Sequence, residues 1–229
     1  MKLIRKHILT TLLLALACNC CVAQLLVPAT KPNSAQQAMI KRGYGMFIHF
    51  GINTFNNTEW SDGTLPLESY NPTNLDPDQW VLTAKKAGFR YVLLVTKHHD
   101  GFFLWDSKYT TYDVASSPVK MDVVKAVSDA CKKYGIQFAV YYSLWDRKEP
   151  SYKDKDPQKY INYMLSQLTE LFTNYGTIGE LWLDGGWDKK PSDWGIDQVY
   201  SLVKKFNPDC AVSVNHTIVN EEGKRNYTP

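Results

Sequence analysis

The segment from Lys97 to Tyr109 holds two adjacent histidines, His98 and His99, followed by the carboxylate of Asp100 and several aromatic residues. Imidazole and carboxylate groups transfer protons and exchange hydrogen bonds with hydroxyl groups. The segment directly follows the apolar run Tyr91–Thr96, which is typical of a buried β-strand. Because α/β enzymes place their chemistry where such strands open into loops, the segment predicts a catalytic or binding site.

Asp184 is a second candidate for chemistry. It ends the apolar run Glu180–Asp184, and the following Gly185 and Gly186 leave room for a substrate to approach. Retaining glycosidases need such a carboxylate as nucleophile, with a second carboxyl about 5–5.5 Å away that acts first as acid and then as base. Alternatively, Asp184 caps a loop or helix. The local pattern supports both interpretations equally.

A metal site is the other interpretation of His98, His99 and Asp100. Adjacent residues of a strand point to opposite faces, so one ion would take both histidines only where the strand has ended. The sequence also lacks a cysteine or carboxylate cluster to complete a coordination sphere. We therefore predict no metal here.

Five apolar runs with β-favouring residues recur along the chain and predict the elements that position these side chains. Their nearly continuous hydrophobicity is typical of strands buried on both faces, as in a parallel sheet. The runs are Met46–Gly51, Tyr91–Thr96, Gln137–Ser143, Glu180–Asp184 and Cys210–Asn215.

Four helical patterns separate these runs. Asp-Pro pairs open two of them, at Pro77 and Pro157, and glycines close three, at Gly88, Gly135 and Gly176. A fourth pattern runs from Trp194 to Phe206. The alternating order predicts right-handed parallel crossovers without an internal domain boundary.

We expect an α/β fold of the (β/α)8 TIM-barrel type, of which about five of eight strand–helix units are present. A doubly wound sheet fits the same alternation, but no glycine-rich phosphate loop follows the first run. In a barrel the carboxyl ends of all strands converge on one mouth. Polar residues end every run, and we expect them to meet there: His49, His98, His99, Tyr142, Asp184 and Asn215.

The first 23 residues have the features of a signal peptide. Basic residues precede a short apolar core, Ile8–Ala17, and a small-residue cleavage site ends at Ala23. That core is too short to span a bilayer. We predict an exported protein, periplasmic or extracellular, with attachment as a lipoprotein through Cys18 as the alternative. Residues 24–229 then form the N-terminal part of the barrel domain.

The net charge of +3 resides in this signal. Of 26 basic residues, Lys2, Arg5 and Lys6 lie there, which leaves 23 basic against 23 acidic residues. Such a balance gives no reason to expect nucleic acid or a membrane surface as a partner. Cys131 and Cys210 are the cysteines beyond the signal. We expect buried free thiols, with a single disulfide as the alternative.

Lys97–Tyr109 and Gly179–Gly186 together resemble the α-L-fucosidase family of retaining glycoside hydrolases, glycoside hydrolase family 29. The resemblance extends from about Tyr44 to Asn215. It implies a (β/α)8 catalytic domain that hydrolyses terminal α-linked fucose from a glycan or glycoconjugate. It implies no cofactor.

The resemblance also implies roles for particular residues. Asp184 would be the catalytic nucleophile, forming a fucosyl-aspartate intermediate. The histidines would donate hydrogen bonds to sugar hydroxyls, and the aromatic residues would line the sugar pocket. The implied substrate-binding residues are His49, Glu59, Trp60, His98, His99, Tyr142 and Trp182.

The sequence departs from the family pattern after the fifth run, where Asn215-His216-Thr217 replaces the usual Asn-Asp-Arg. Tyr227-Thr228-Pro229 resembles the start of the segment that precedes the family's acid/base glutamate. We therefore expect the acid/base residue beyond this sequence, rather than at Glu221, Glu222 or Glu59. The alternatives are a non-catalytic carbohydrate-binding or degenerate remnant, for which we expect oligomerisation, and a barrel glycosidase for another sugar.

Overall fold

The computed structural model describes residues 31–215, so the predicted signal peptide and Glu221 and Glu222 lie outside the described residues. Five parallel strands form one sheet in which each strand pairs with the next along the chain. The strands are β1 (Gly45–Ile48), β2 (Tyr91–Lys97), β3 (Gln137–Ser143), β4 (Glu180–Asp184) and β5 (Ala211–Val214).

This strand order confirms the predicted fold class, five strand–helix units of a (β/α)8 barrel. A doubly wound sheet reverses its strand order at a switch point. No reversal occurs among the five strands of residues 31–215. The five strands therefore present all their carboxyl ends at one edge, as the barrel prediction requires.

Helices alternate with the strands, and the four predicted ones are present. The helices are α1 (Ser34–Arg42), α2 (Pro77–Lys86), α3 (Val123–Tyr134), α4 (Pro157–Asn174) and α5 (Ile196–Phe206). Asp76, Asp122 and Asp156 cap the amino ends of α2, α3 and α4, where each carboxylate accepts a backbone N–H. Helix α1 was not predicted, and it contains no buried residue whose spacing would reveal it.

The two faces of the sheet pack against different surroundings. On the outer face, strand residues such as Leu94, Val140 and Leu183 join the main hydrophobic core with the helices. On the inner face, Leu93, Val95, Ala139 and Tyr141 form a separate small cluster, against which Trp182 and Tyr91 pack. Because strand side chains alternate, consecutive residues belong to different faces.

A β-bulge at Thr96 interrupts this alternation. Val95 pairs with Tyr141, but the next residue to pair with β3 is Lys97, opposite Tyr142. The Thr96 hydroxyl donates to the Tyr141 carbonyl over 2.8 Å. The extra residue places Lys97 on the outer face and leaves His98 at the mouth.

Cys131 and Cys210 are free and buried, which confirms the predicted thiols. Within residues 31–215, no helix combines the length and apolar character needed to cross a membrane.

Candidate active site

Asp184 lies at the carboxyl end of β4, and residues of both neighbouring strands hold its carboxylate. Tyr141 of β3 donates its hydroxyl to Oδ2 over 2.7 Å. Asn215, directly after β5, donates Nδ2 to Oδ1 over 2.8 Å. Burial, and then the charge of Asp184, raises the pKa of Tyr141 well above its usual value, so the phenol stays protonated as a donor. The carboxylate is thereby fixed in direction while it retains lone pairs for a substrate.

Three histidines lie together beside this carboxylate network. The ring centroids of His49 and His98 are 4.5 Å apart, and those of His98 and His99 are 3.9 Å apart. The His98 ring also stacks on Tyr141, with 6.0 Å between centroids. The structure therefore brings the predicted residues of β1 and β2 to the residues that hold Asp184.

The environment keeps these imidazoles uncharged. Burial, together with the smaller effects of His99, His49 and Lys97, lowers the pKa of His98 to about 2. Burial lowers the pKa of His99 to about 4, against an opposing effect of Asp184. Burial also lowers the pKa of His49, with an opposing effect of Glu59. Three neutral rings can each donate one hydrogen bond and accept another.

The contacts of Ser143 assign the tautomer of His99. The Ser143 hydroxyl donates to the Trp145 carbonyl over 2.6 Å. Its oxygen lies 2.6 Å from Nδ1 of His99. Because a hydroxyl has one proton to donate, Nδ1 of His99 must be the donor in this second contact. Nε2 of the neutral ring is then an acceptor, suited to a sugar hydroxyl.

Asp100 stabilises the loop after β2, and its carboxyl group does not point to the substrate site as a general acid. Its Oδ1 accepts the backbone N–H of Phe102 over 2.7 Å, and its Oδ2 accepts Nδ2 of Asn53 over 2.8 Å. Burial raises the pKa of Asp100 to about 6. With 2% of the residue exposed, this carboxyl fixes the turn that carries His98 and His99.

Glu59 and Trp60, in the loop after β1, also lie at the mouth. The Glu59 carbonyl accepts Nδ2 of Asn53 over 3.2 Å, which connects this loop to the Asp100 turn. The Trp60 ring lies 5.5 Å from His99, edge to face, and the residue is 45% exposed. Trp182 lies two residues before Asp184 on the inner face, with its ring 6.4 Å from that of Tyr141.

Tyr142 is the predicted site residue that the structure does not bring to this cluster. It lies on the outer face, fully buried, with its hydroxyl donated to Gln167 of α4. Tyr141 takes the position expected for Tyr142. The run Val140-Tyr141-Tyr142-Ser143 is apolar or aromatic on both faces, so its composition could not tell which tyrosine points to the mouth.

Sequence reasoning also missed Ser143, Trp145 and Trp187. Ser143 faces the mouth because it lies on the inner face of β3, two residues after Tyr141. The alternation of strand side chains would have predicted this if Tyr141 had been assigned to the inner face. The two tryptophans lie in loops, where no periodicity indicates orientation. Within residues 31–215, no group of three or more His, Cys, Asp or Glu side chains is arranged to hold a metal ion.

The family model described as Alpha-L-fucosidase matches residues 59–229. Alpha-L-fucosidase 1 of Arabidopsis thaliana is 42% identical over 186 residues, covering 79% of this chain and 36% of the plant protein. The chain thus spans about a third of the length of that relative.

Solved structures give the same result. A glycoside hydrolase 29 family member from an unknown rumen bacterium matches with a TM-score of 0.74 and 35% identity, over 82% of this chain and 37% of that one. A GH29 alpha-L-fucosidase of Bacteroides thetaiotaomicron matches with a TM-score of 0.70 and 30% identity, over 85% and 53%. That structure is a trapped covalent intermediate formed with 2-fluoro-fucosyl fluoride.

Proposed function

Because this chain belongs to the α-L-fucosidase family, we propose that it supplies the nucleophile side of a retaining exo-α-L-fucosidase acting on fucosylated glycans. The observation that carries this proposal is the Asp184 carboxylate, held by Tyr141 and Asn215 beside three neutral histidines. A fixed carboxylate next to neutral hydrogen-bonding groups suits a polar, uncharged ligand such as a sugar.

In the first step, an Asp184 oxygen attacks the anomeric carbon of fucose, and the bond to the glycosidic oxygen breaks. The departing oxygen takes a proton from a general acid. In the second step, water attacks the same carbon, the former acid removes its proton, and Asp184 is released as a carboxylate. The hydrogen bonds from Tyr141 and Asn215 hold Asp184 in position, so little reorganisation is needed at the moment of attack.

The remaining predicted residues are proposed to bind the sugar. Nε2 of His99 accepts a hydrogen bond from a sugar hydroxyl, in place of the donation that the family resemblance implies. His49 and His98 exchange hydrogen bonds with other hydroxyls. Trp60 and Trp182 offer apolar surfaces to the C–H face and the methyl group of a 6-deoxy sugar. We assign no sugar contact to Tyr142, because its hydroxyl is directed to Gln167.

We propose that the acid/base carboxyl comes from outside residues 31–215. The carboxyl oxygens of Asp100 are engaged within its own loop. Export through the predicted signal peptide is likewise a proposal, which mass spectrometry of the mature amino terminus in the secreted fraction tests.

Replacing Asp184 with glycine in the full-length gene product tests the nucleophile. We expect kcat for an aryl α-L-fucoside to fall about a thousandfold or more, equivalent to ~4 kcal/mol of transition-state stabilisation. Added azide should restore part of the rate and yield a fucosyl azide of inverted configuration, because the small anion occupies the vacated space.

The matched control is Asp209→Gly, which changes an exposed aspartate in the turn before β5 and should leave kcat as in the wild type. An Asp184→Gly variant that keeps its activity would remove Asp184 from the nucleophile role. A wild-type protein that binds fucose and hydrolyses no fucoside would favour a carbohydrate-binding function over hydrolysis.

A further inference from the structure

Three tryptophans from three different loops meet at the mouth. Trp60 follows β1, Trp145 follows β3 and Trp187 follows β4. The rings of Trp60 and Trp187 stack with 5.7 Å between centroids and 18° between planes. Trp145 lies nearly edge-on to both, at 5.8 Å and 5.1 Å. We call these three residues the tryptophan cluster.

The tryptophan cluster begins at the proposed sugar site. The rings of Trp60, Trp145 and Trp187 lie 5.5, 5.4 and 5.1 Å from that of His99. Trp60 is 45% exposed, and the other two are half-buried. A contiguous aromatic surface that stays partly open beside a polar site is typical of ligand binding rather than of a sealed core.

The loop that carries Trp187 is held in place on both sides. Gly185 has a φ of +81°, and a Cβ there would lie 3.0 Å from Cβ of Trp145 and 3.1 Å from the His99 ring. Glycine therefore permits the close approach of the loops after β2, β3 and β4. On the other side, Asp188 accepts the Tyr152 hydroxyl over 2.6 Å. Such anchoring positions the Trp187 ring before a ligand arrives.

We propose that Trp187, which packs against Trp60 and Trp145, binds the pyranose sugar to which fucose is linked. The inference rests on the proposed function, in which the histidines and Asp184 bind fucose. The next sugar must lie outward from them, where the tryptophan cluster continues. The C–H face of a pyranose packs on an indole, and its hydroxyls point away from the ring.

Arg147 completes the rim of this subsite. Its guanidinium lies 5.2 Å from the Trp145 ring, and Nη1 donates to the Ser61 carbonyl over 3.2 Å. Its backbone N–H donates to the His99 carbonyl over 2.9 Å. An exposed guanidinium held by the Ser61 carbonyl places its remaining hydrogen-bond donors where hydroxyls of the stacked sugar would lie.

The test compares two substrates in the full-length gene product. α-L-Fucosyl fluoride probes the fucose site alone, whereas α-L-fucosyl-(1→2)-galactose also needs the adjoining subsite. For Trp187→Ala, we expect kcat/KM for the disaccharide to fall at least about tenfold more than that for the fluoride. Trp187→Phe should show a smaller difference, because a phenyl ring still stacks.

Tyr200→Ala is the control, since Tyr200 is an exposed aromatic residue on α5, remote from the tryptophan cluster in the fold, and should leave both values unchanged. If Trp187→Ala lowers both values equally, Trp187 supports the His99 ring and the acceptor subsite is overturned. If wild-type protein hydrolyses neither substrate, the proposed function itself fails, and this inference falls with it. If Trp187→Ala lowers neither value, the acceptor subsite is again overturned.

Discussion

Neighbouring residues at the ends of β2 and β3 belong to two different hydrogen-bond networks. One network lies on the outer face of the sheet and the other at the mouth. On the outer face, Lys97 pairs with Asp146 over 2.9 Å, and both side chains are at most 1% exposed. At the mouth, Tyr141 and Asn215 hold a half-buried Asp184. Protein groups close the outer network off from solvent, whereas the mouth network ends at a carboxylate that solvent can reach.

The outer network is built for stability. The Lys97 ammonium lies 4.3 Å from the centroid of the Tyr142 ring and donates to the Tyr160 hydroxyl over 3.3 Å. That hydroxyl donates to the Leu144 carbonyl over 2.7 Å. A charge sealed in this way cannot take part in chemistry, but its loss leaves an uncompensated partner. The bulge at Thr96 directs Lys97 into the stabilising network on the outer face and leaves His98 at the mouth.

The largest expected effect breaks the outer network. Lys97→Met leaves the Asp146 carboxylate buried without its counter-charge, and we expect the free energy of unfolding to fall by about 3–5 kcal/mol. Urea denaturation of the full-length protein, followed by circular dichroism, measures this. The double variant Lys97→Met/Asp146→Leu should recover much of the loss. A single variant as stable as the wild type would show that the pair contributes no stability.

Tyr141 and Tyr142 of β3 belong to different networks, so the two tyrosines should respond differently to the same substitution. Tyr141→Phe removes a donor from Asp184, and we expect kcat to fall about 10–100-fold with little change in stability. Tyr142→Phe leaves Gln167 without its donor, so we expect a loss of about 1–3 kcal/mol in unfolding free energy and normal kcat. Kinetics with an aryl fucoside and urea denaturation of both variants measure this. The reverse pattern would exchange the two assignments.

A third effect concerns the histidines and pH. Their pKa values, about 2 for His98 and about 4 for His99, lie below the ordinary 6.5. As pH falls from about 6.5 towards 4, these histidines bind protons in the unfolded chain but remain neutral in the folded chain. The free energy of unfolding therefore decreases by about 1.4 kcal/mol for each histidine with every unit by which the pH falls below 6.5. Above pH 6.5 the histidines cause no such loss.

His98→Asn should flatten the dependence of unfolding free energy on pH between 6.5 and 4. Urea denaturation at several pH values compares this variant with the wild type, and Asp209→Asn serves as a control with an exposed carboxyl. Equal slopes in the variant and the wild type would mean that His98 is not held neutral by burial.

The fold class, and the place of Asp184 at the carboxyl end of the fourth strand, follow from the sequence alone. Apolar runs and helix caps are local features, which residues close together in sequence determine. Their spacing therefore predicted five strands and four helices without knowledge of tertiary contacts. The same patterns predicted that His49, His98, His99 and Asp184 end strands, because the polar residues follow directly after the apolar runs.

The tertiary structure decided which side chains face the mouth. The bulge at Thr96 exists only in the pairing of β2 with β3, and the choice of Tyr141 over Tyr142 depends on which face the helices cover. The tryptophan cluster joins loops whose tryptophans lie 42 to 127 residues apart in sequence. Such features arise from contacts between distant residues, and local periodicity contains no information about them.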